Sequence, residues 1–540
     1  MLGRVVVWLA LVAVAGIILS KTRSVRPPKG YREVPGPKGL PLIGNILQVP
    51  IQPRHQLISW AQQYGELFRL RLGRYNWVFL NHPAAIKEIM DRQAASTSGR
   101  VPTPVLSELV SGGRRFLLMG NTPTWRKLRG LVHKLLTPRM SEKFRPSQDF
   151  EAKQLIYDLC NSNLDDKEFY NHIRRYTTSV VLTSTYGKRV PTSDNPDIVE
   201  VYGIMKDFSD TTVPGAFWAD VFPPLAKLPT ALQSWRKRAL QYQERQTRAW
   251  MKFWNDLKIQ IDLGKAPECF VKQWLETDWE KQEISELQAA YVAGTMIEAG
   301  SETTSSALNS CVKYLAAYPH VQERANEEIS RVVGDARSPT WEDEEKLPYI
   351  RAMVKEILRL RPVSSLGQPH MTTADVYYKD YFIPKGTVLA LCQYAVHYDP
   401  ARYQDPFEFR PERYLNHPLK AGAYAGGDPF ARDHFGFGAG RRICPGMHLA
   451  ENSLFITLAK IIWAFDIRPP LDAEGREETV DVSDNAYEDT GNILPRPFRL
   501  RFIPRNEVRK SKLIEEWEQA LREGYYLGDV KVDALGMVVE

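Results

Sequence analysis

The apolar positions of this chain follow three kinds of pattern. Val5 to Leu19 is unbroken by polar residues. At the helical rise that run covers about 22 Å, or about 30 Å if Met1 to Ser20 is helical throughout, which can just span a bilayer. Leu67 to Leu72 and Asn76 to Leu80 are short alternating or apolar runs around Gly73-Arg74, which predicts a hairpin. Most of the remainder follows a helical period. Trp125, Arg129 and His133 recur at four-residue steps and share one helix face. The longest periodic run, from about Ile284 to Tyr318, predicts one helix carrying Gly294 and Gly300, each costing about 1 kcal/mol relative to Ala. Met296, Ala299, Gly300, Thr303 and Ala307 lie on one face of it, where small residues would let a flat ligand rest against the backbone. Glu356 and Arg359 stand one turn apart on a helix that ends before Pro362. A last helix is expected from about Glu507 to Arg522.

Breakers and charges divide these runs. Ala13-Val14-Ala15 has the small residues of a signal-peptide cleavage site, but the apolar run continues through Ile17, Ile18 and Leu19, which favours a retained anchor. Lys21, Arg23, Arg26 and Lys29 follow it whereas only Arg4 and the terminal amine precede it, so everything after residue 20 is expected in the cytosol. Pro27-Pro28 and Pro35-Gly36-Pro37 make a stiff linker. The expected organisation is an anchor over 1–21, a basic, proline-rich hinge over 22–45, a catalytic body over 46–505 and an extension over 506–540 of unreadable purpose. An aromatic stretch from about Met205 to Pro229 holds Phe208, Phe217, Trp218 and Phe222, broken by Pro214, Pro223 and Pro224. Ala421 to Asp428 is a Gly/Ala-rich loop without assigned chemistry, and there are no internal repeats.

Composition narrows the classes. In 540 residues, 43% are hydrophobic and 11% aromatic, enough for a large core, so global disorder is excluded. A net charge of +7 is mild at this length. No Lys/Arg block with interleaved aromatics appears, so nucleic acid is not an expected partner, whereas an acidic protein or an anionic membrane surface fits. The five cysteines, Cys160, Cys269, Cys311, Cys392 and Cys444, are an odd number at wide spacing. Without Cys-x-x-Cys or Cys-x-x-Cys-His they argue against a disulfide framework, structural zinc and c-type haem attachment, and for a reducing compartment.

The chemistry concentrates in Phe437-Gly438-Ala439-Gly440-Arg441-Arg442-Ile443-Cys444-Pro445-Gly446, followed by the apolar run His448 to Phe465. A thiolate ligand for haem iron needs exclusion of water, backbone donors and a close main-chain approach, which glycines around a cysteine at a helix start supply. The helix behind Cys444 favours the ionised sulfur, Phe437 can wall off solvent, and Arg442 can pair with a carboxylate such as a haem propionate. Phe-x-x-Gly-x-Arg-x-Cys-x-Gly resembles the haem-binding signature of the cytochrome P-450 family, and the motif set of that family recurs in order from about residue 31 to 505. Trp125 and Arg129 are similar to its Trp-x-x-x-Arg motif. Ala299-Gly300-Ser301-Glu302-Thr303 looks like its oxygen-activation motif. Glu356-x-x-Arg359 and Pro411-Glu412-Arg413-Tyr414 resemble its Glu-x-x-Arg and Pro-Glu-Arg-Phe motifs, with Tyr in place of Phe.

The resemblance implies a mainly α fold with small β-sheets, one large domain behind an N-terminal transmembrane helix. It implies haem b ligated through Cys444 and contacted by Trp125, Arg129, Ala299, Gly300, His370, Phe437, Arg442 and Gly446. Glu302 and Thr303 would be the acid and alcohol of a proton relay for breaking the O–O bond. Glu356, Arg359 and Arg413 would form a buried charge triad, Val363 to Gly367 a strand lining the substrate pocket, and Val101 to Leu118 with the aromatic stretch a lid, so an apolar substrate is implied. His370 as axial ligand is the less favoured alternative to Cys444. Arg126, Lys127, Arg441 and Arg442 would form a basic surface docking an NADPH-dependent reductase. The expected protein is a monooxygenase with its catalytic domain on the cytosolic side of the endoplasmic reticulum membrane, acting on a fungal terpenoid, polyketide or alkaloid. Two alternatives stay open: a hydroperoxide isomerase or dehydratase needing no reductase, and a non-catalytic membrane haem carrier or sensor.

Overall fold

The computed structural model describes residues 26–41, 43–162, 167–212, 216–277, 279–489 and 492–539. The expected anchor and the first residues of the hinge lie outside the described residues, as does Pro214. Among the described residues no helix is long and apolar enough to cross a membrane.

The body is helical with small sheets, as the periodicity predicts. Its main helices are α1 (Pro123–Leu135), α2 (Arg145–Asn161), α3 (Glu168–Tyr186), α4 (Pro196–Thr212), α5 (Arg236–Asp262), α6 (Glu286–Ala317), α7 (Pro348–Leu360), α8 (Met447–Ala464) and α9 (Glu507–Glu523). α6 starts at Ser285, whose hydroxyl accepts from Gln288 N–H as an N-cap. α8 is buried on nearly all sides, from Met447 to Ala464, its polar residues Glu451, Asn452 and Lys460 included. The two glycines of α6 are explained by neighbouring helices. A Cβ on Gly300 would come within 2.6 Å of the Val181 side chain on α3, and one on Gly294 would run into the Trp250 ring on α5. The missing side chain of Gly300 serves helix–helix packing, while Ala299, Gly300 and Thr303 all keep accessible surface.

The predicted hairpin is β1 (Leu67–Leu72) and β2 (Tyr75–Leu80), with Gly73 at φ +61° in the turn. It belongs to a five-stranded sheet in the order β1-β2-β5-β4-β3, where β3 is Gly99–Arg100, β4 His370–Met371 and β5 Val388–Leu391. β3 and β4 are antiparallel, with Arg100 opposite His370. Val363 to Gly367 is not a strand. Gly367 at φ +58° closes a turn back to Ser364, and the Ser365 carbonyl accepts from Gln393, so these backbone groups are spent outside any ladder. The Ala421–Asp428 stretch likewise begins with a helical turn, Ala421–Ala425, whose first N–H donates to Glu451 at 2.9 Å.

The carboxy-terminal segment is integrated in the core. Trp517 on α9 and Tyr525 beyond it lie 5.3 and 4.8 Å from the Phe150 ring on α2. Arg509 donates to Asp335 at 2.6 Å and to the Trp463 carbonyl at 2.8 Å. The hairpin of Tyr525–Leu527 and Val530–Val532 then leads the chain to Arg189, which donates to the Ala534 carbonyl.

Candidate active site

Cys444 lies in a tight loop between Phe435 and the start of α8. Its N–H donates to the Phe437 carbonyl at 2.8 Å, Gly438 N–H donates to Phe435 at 2.8 Å, and Gly440 N–H donates to the Asp91 carboxylate at 2.7 Å. Gly438 and Gly440 take positive φ, +77° and +68°, and a Cβ on Gly440 would strike the Met90 carbonyl, so the loop accepts only glycine there. Cys444 is half-buried and the half-buried Phe437 ring stands 5.4 Å from His434. Burial pushes the Cys444 thiol up, opposed by the Gly446 N–H and the Arg129 guanidinium. A cation at the sulfur would tip that balance to the thiolate.

Around this loop four nitrogen-rich side chains converge. Arg129 on α1 donates to the Ile443 carbonyl. Arg442 lies with its guanidinium 3.9 Å from the Trp125 ring centroid and donates to the carbonyls of Ser98 and Met119 at 2.9 and 2.7 Å. Arg442 is thus turned inward, which removes it from the expected basic surface; Arg126, Lys127 and Arg441 are exposed. Arg100 donates to the carbonyls of Leu117, Gln368 and Pro369 at 2.7–2.9 Å. His370 bonds the Thr97 carbonyl through Nδ1 at 2.8 Å, which leaves Nε2 to face the arginines.

Electrostatics marks this cluster as incomplete. Burial and then Arg129 lower Arg442 to about 9. Burial, Arg442 and Arg129 press Arg100 well below the usual guanidinium range, and burial, Arg100 and Arg442 do the same to His370. Among the described residues no carboxylate pairs with Arg100, Arg129 or Arg442, and the buried Trp125 Nε1 has no acceptor. Buried charge without a counter-charge is costly, so the cluster fits a group that brings anionic oxygens with it. The two propionates of haem b meet that description, and Cys444 and the exposed Ala299 would adjoin the same group. The cysteine, cation cluster and small-residue helix face therefore fit the cofactor that the sequence implies.

The two relay candidates do not touch each other. Thr303 donates to the Ala299 carbonyl at 2.6 Å, whereas Glu302 accepts from Asn492 Nδ2 at 3.0 Å. Burial raises the Glu302 carboxyl above its usual range, against Asn492 and Arg174. Gly446 is the N-cap residue of α8.

The charge triad is formed and closed on itself. Glu356 accepts from Arg359 Nε and Nη2 at 2.7 and 2.8 Å, from Arg413 Nε at 3.2 Å and from Arg410 N–H at 3.0 Å. Arg359 spends its remaining donors on the carbonyls of His397, Pro406 and Glu408. Arg100 is the member of the site that sequence reasoning missed, since only the pairing of β3 with β4, some 270 residues apart in sequence, reveals it.

A family model described as Cytochrome P-450 matches residues 34–482. The chain is 44% identical over 530 residues to the cytochrome P-450 monooxygenase pgmC of Aspergillus terreus, covering 98% of this chain and 96% of that one. It is 39% identical over 495 residues to the cytochrome P-450 monooxygenase verL of Clonostachys rogersoniana, covering 91% and 90%. With the cytochrome P-450 monooxygenase virE of Hypocrea virens it shares 38% identity over 496 residues, covering 91% and 89%.

Proposed function

The chain belongs to the cytochrome P-450 family, and on that premise we propose that it is a haem-thiolate monooxygenase of fungal secondary metabolism. It takes electrons from an NADPH-dependent reductase and inserts one oxygen atom of O2 into a small, largely apolar molecule. The observation that carries this reading is the cluster of half-buried Arg100, Arg129 and Arg442 with buried His370, which among the described residues has no carboxylate partner and adjoins the Cys444 loop.

Haem b, when bound, supplies the one-electron and O2 chemistry of the reaction. The protein's part is to hold, shield and protonate. Cys444 would be the iron ligand; burial raises its thiol, while the Gly446 N–H, Arg129 and the N-terminus of α8 favour the ionised sulfur. Arg100, Arg129, Arg442, His370 and Trp125 Nε1 take the propionates, and Phe437 covers the sulfur side. Ala299 leaves room on the opposite side. Thr303 Oγ1, held by the Ala299 carbonyl, is the hydroxyl placed to pass a proton on, and Glu302, whose carboxyl burial raises, would resupply it after the side chain turns from Asn492.

The localisation follows from two features. The apolar run Val5 to Leu19 would make a single-pass anchor, and Leu47, Ile51, Trp218 and Leu232 expose apolar side chains that suit a bilayer surface. The catalytic body then faces the cytosol at the endoplasmic reticulum. Exposed Arg126, Lys127 and Arg441 give an acidic reductase a landing site.

The test supplies the purified protein with a fungal reductase, NADPH, isotopically heavy O2 and metabolite extract from a strain lacking the gene. A product carrying one heavy oxygen atom, formed only with NADPH, is expected. Turnover of an organic hydroperoxide without NADPH or O2 would favour the isomerase alternative instead.

A further inference from the structure

The stretch from Phe435 to Phe437 carries the carbonyl that receives the Cys444 N–H, and two of its own N–H groups end on imidazoles. Phe435 N–H donates to His397 Nε2 at 2.8 Å, and Gly436 N–H donates to His434 Nδ1 at 3.1 Å. His397 closes the short helix Gln393–His397, and its carbonyl accepts from Arg359 Nη1 at 2.7 Å, so one residue ties the charge triad to the Cys444 loop. His434 accepts from two residues ahead on its own chain, as the side chain of an Asx turn does, and its carbonyl accepts from Arg432 Nε at 3.0 Å. Its ring also stands 5.4 Å from Phe437, the ring assigned to cover the sulfur.

Both rings act as acceptors and as nothing else. His397 and His434 are 0 and 1% exposed, and their other ring nitrogens, His397 Nδ1 and His434 Nε2, are without a hydrogen-bond partner. A ring nitrogen that accepts an N–H carries no proton, so the proton of each neutral ring sits on the unpartnered nitrogen. Leaving a buried N–H unmet is costly, and an apolar side chain would fill the same space without that cost. What the imidazoles add is the acceptor. Burial and then His434, Arg359 and Arg402 press His397 well below the usual imidazole range. Burial brings His434 down to about 4 against Asp433, with Lys355, Arg432 and Arg402 acting in the same direction as burial. Both rings are therefore neutral, as an acceptor must be.

We propose that His434 and His397 are positioning residues for the iron ligand: their ring nitrogens fix the Phe435–Phe437 backbone, and through it the Phe437 carbonyl and ring, so that the Cys444 N–H stays occupied and the sulfur stays shielded from water. A loop that loses one of these acceptors opens toward solvent, and a hydrated thiolate is protonated or displaced more readily. The inference rests on the haem-thiolate reading and adds two residues that act on Cys444 through the intervening loop.

The test uses the haem-loaded full chain, reduced under carbon monoxide, in which the Soret band reports whether sulfur still holds the iron. The rate at which the band moves from the long-wavelength position of thiolate ligation to the shorter one is followed at one temperature below the melting transition, with far-ultraviolet circular dichroism recorded alongside. His434→Leu and His397→Leu remove the acceptor and are each expected to quicken the shift about tenfold or more while the helix signal holds. Asn places Oδ1 where His has Nδ1, and Gln Oε1 can reach the position of His Nε2, so His434→Asn and His397→Gln are expected to stay within about twofold of the wild type. Wild-type rates in both Leu replacements, Asn and Gln replacements as fast as the Leu ones, or a band that moves only as helix is lost, overturn the proposal. Should a Leu replacement fail to bind haem, the Asn and Gln replacements decide alone: rates within about twofold of the wild type support the proposal, and rates about tenfold faster overturn it. A wild type that shows only the shorter wavelength from the start contradicts the thiolate reading itself, and this proposal falls with it.

Discussion

Two arginine groups, one buried around Glu356 and one half-buried around Arg442, lie on neighbouring parts of this molecule and differ in one respect. Around Glu356 both guanidiniums share a carboxylate: Glu356 meets Arg359, Arg413 and a backbone N–H, and Arg359 has no donor to spare. Around Arg442 there are three guanidiniums and a histidine, only carbonyl oxygens as partners, and an indole N–H with none. The first group is an internal brace. The second is half of a contact, and its missing half must be anionic, flat enough to reach all four side chains, and seated over Cys444. Buried cations left without any carboxylate are thus a positive sign of a ligand, whereas buried cations that share one are a sign of structure.

The contrast is broken or sharpened most strongly at Glu356. Glu356→Gln strands Arg359 and Arg413 as buried cations and is expected to cost about 3–5 kcal/mol, enough to unfold much of the chain. Thermal melting of the haem-free protein measures it. An unchanged melting temperature would deny that the triad is a brace.

Glu451 on α8 sits between the extremes, since it accepts from Ala421 N–H at 2.9 Å while its second oxygen is unpartnered. Burial raises it from 4.5 to about 7. The unfolded chain releases this proton at the ordinary carboxyl value while the folded chain keeps it to about 7, so wild-type stability falls as pH rises between the two. Glu451→Gln stays neutral throughout. It is expected to match the wild type below pH 4.5 and to exceed it above pH 7 by up to about 3 kcal/mol, as denaturant unfolding at both pH values would reveal. Equal stabilities at high pH would mean that the carboxylate finds a partner on ionising.

Arg442→Gln gives the smallest and most selective effect. Removing one of several like charges offsets the lost carbonyl contacts, so the melting temperature of the haem-free protein is expected to change little. Haem transfer to apomyoglobin should meanwhile quicken about tenfold or more. If haem retention were unaffected, the cation cluster would have some other anion as its partner.

How much of this was legible beforehand depended on sequence distance. The hairpin, the long helix, the Cys444 loop and the Glu356–Arg359 pair are short-range patterns whose residue spacing carries their geometry. Arg100 joins the site through a two-residue strand, and His397 meets Phe435 across 38 positions, so neither leaves a local signal. Val363 to Gly367 misled because apolar and small residues between Pro362 and Gly367 suit a turn as well as a strand. That Gly300 also makes room for Val181 leaves no local signal either, because a missing side chain does not say which neighbour needs the space. The α9 segment showed its helical period but not its target, because Trp517 finds Phe150 only in three dimensions.

The central claim is that a deprotonated Cys444 holds the haem iron while the arginine cluster holds the propionates. It is tested most directly by the absorption spectrum of the reduced protein under carbon monoxide, taken for the wild type and for Cys444→His. The account predicts a Soret band at the long-wavelength position of thiolate-ligated haem in the wild type, and in the variant bound haem with the band moved to the shorter wavelength of histidine ligation. A wild type that already shows the shorter wavelength, or a variant that keeps the longer one, would contradict it.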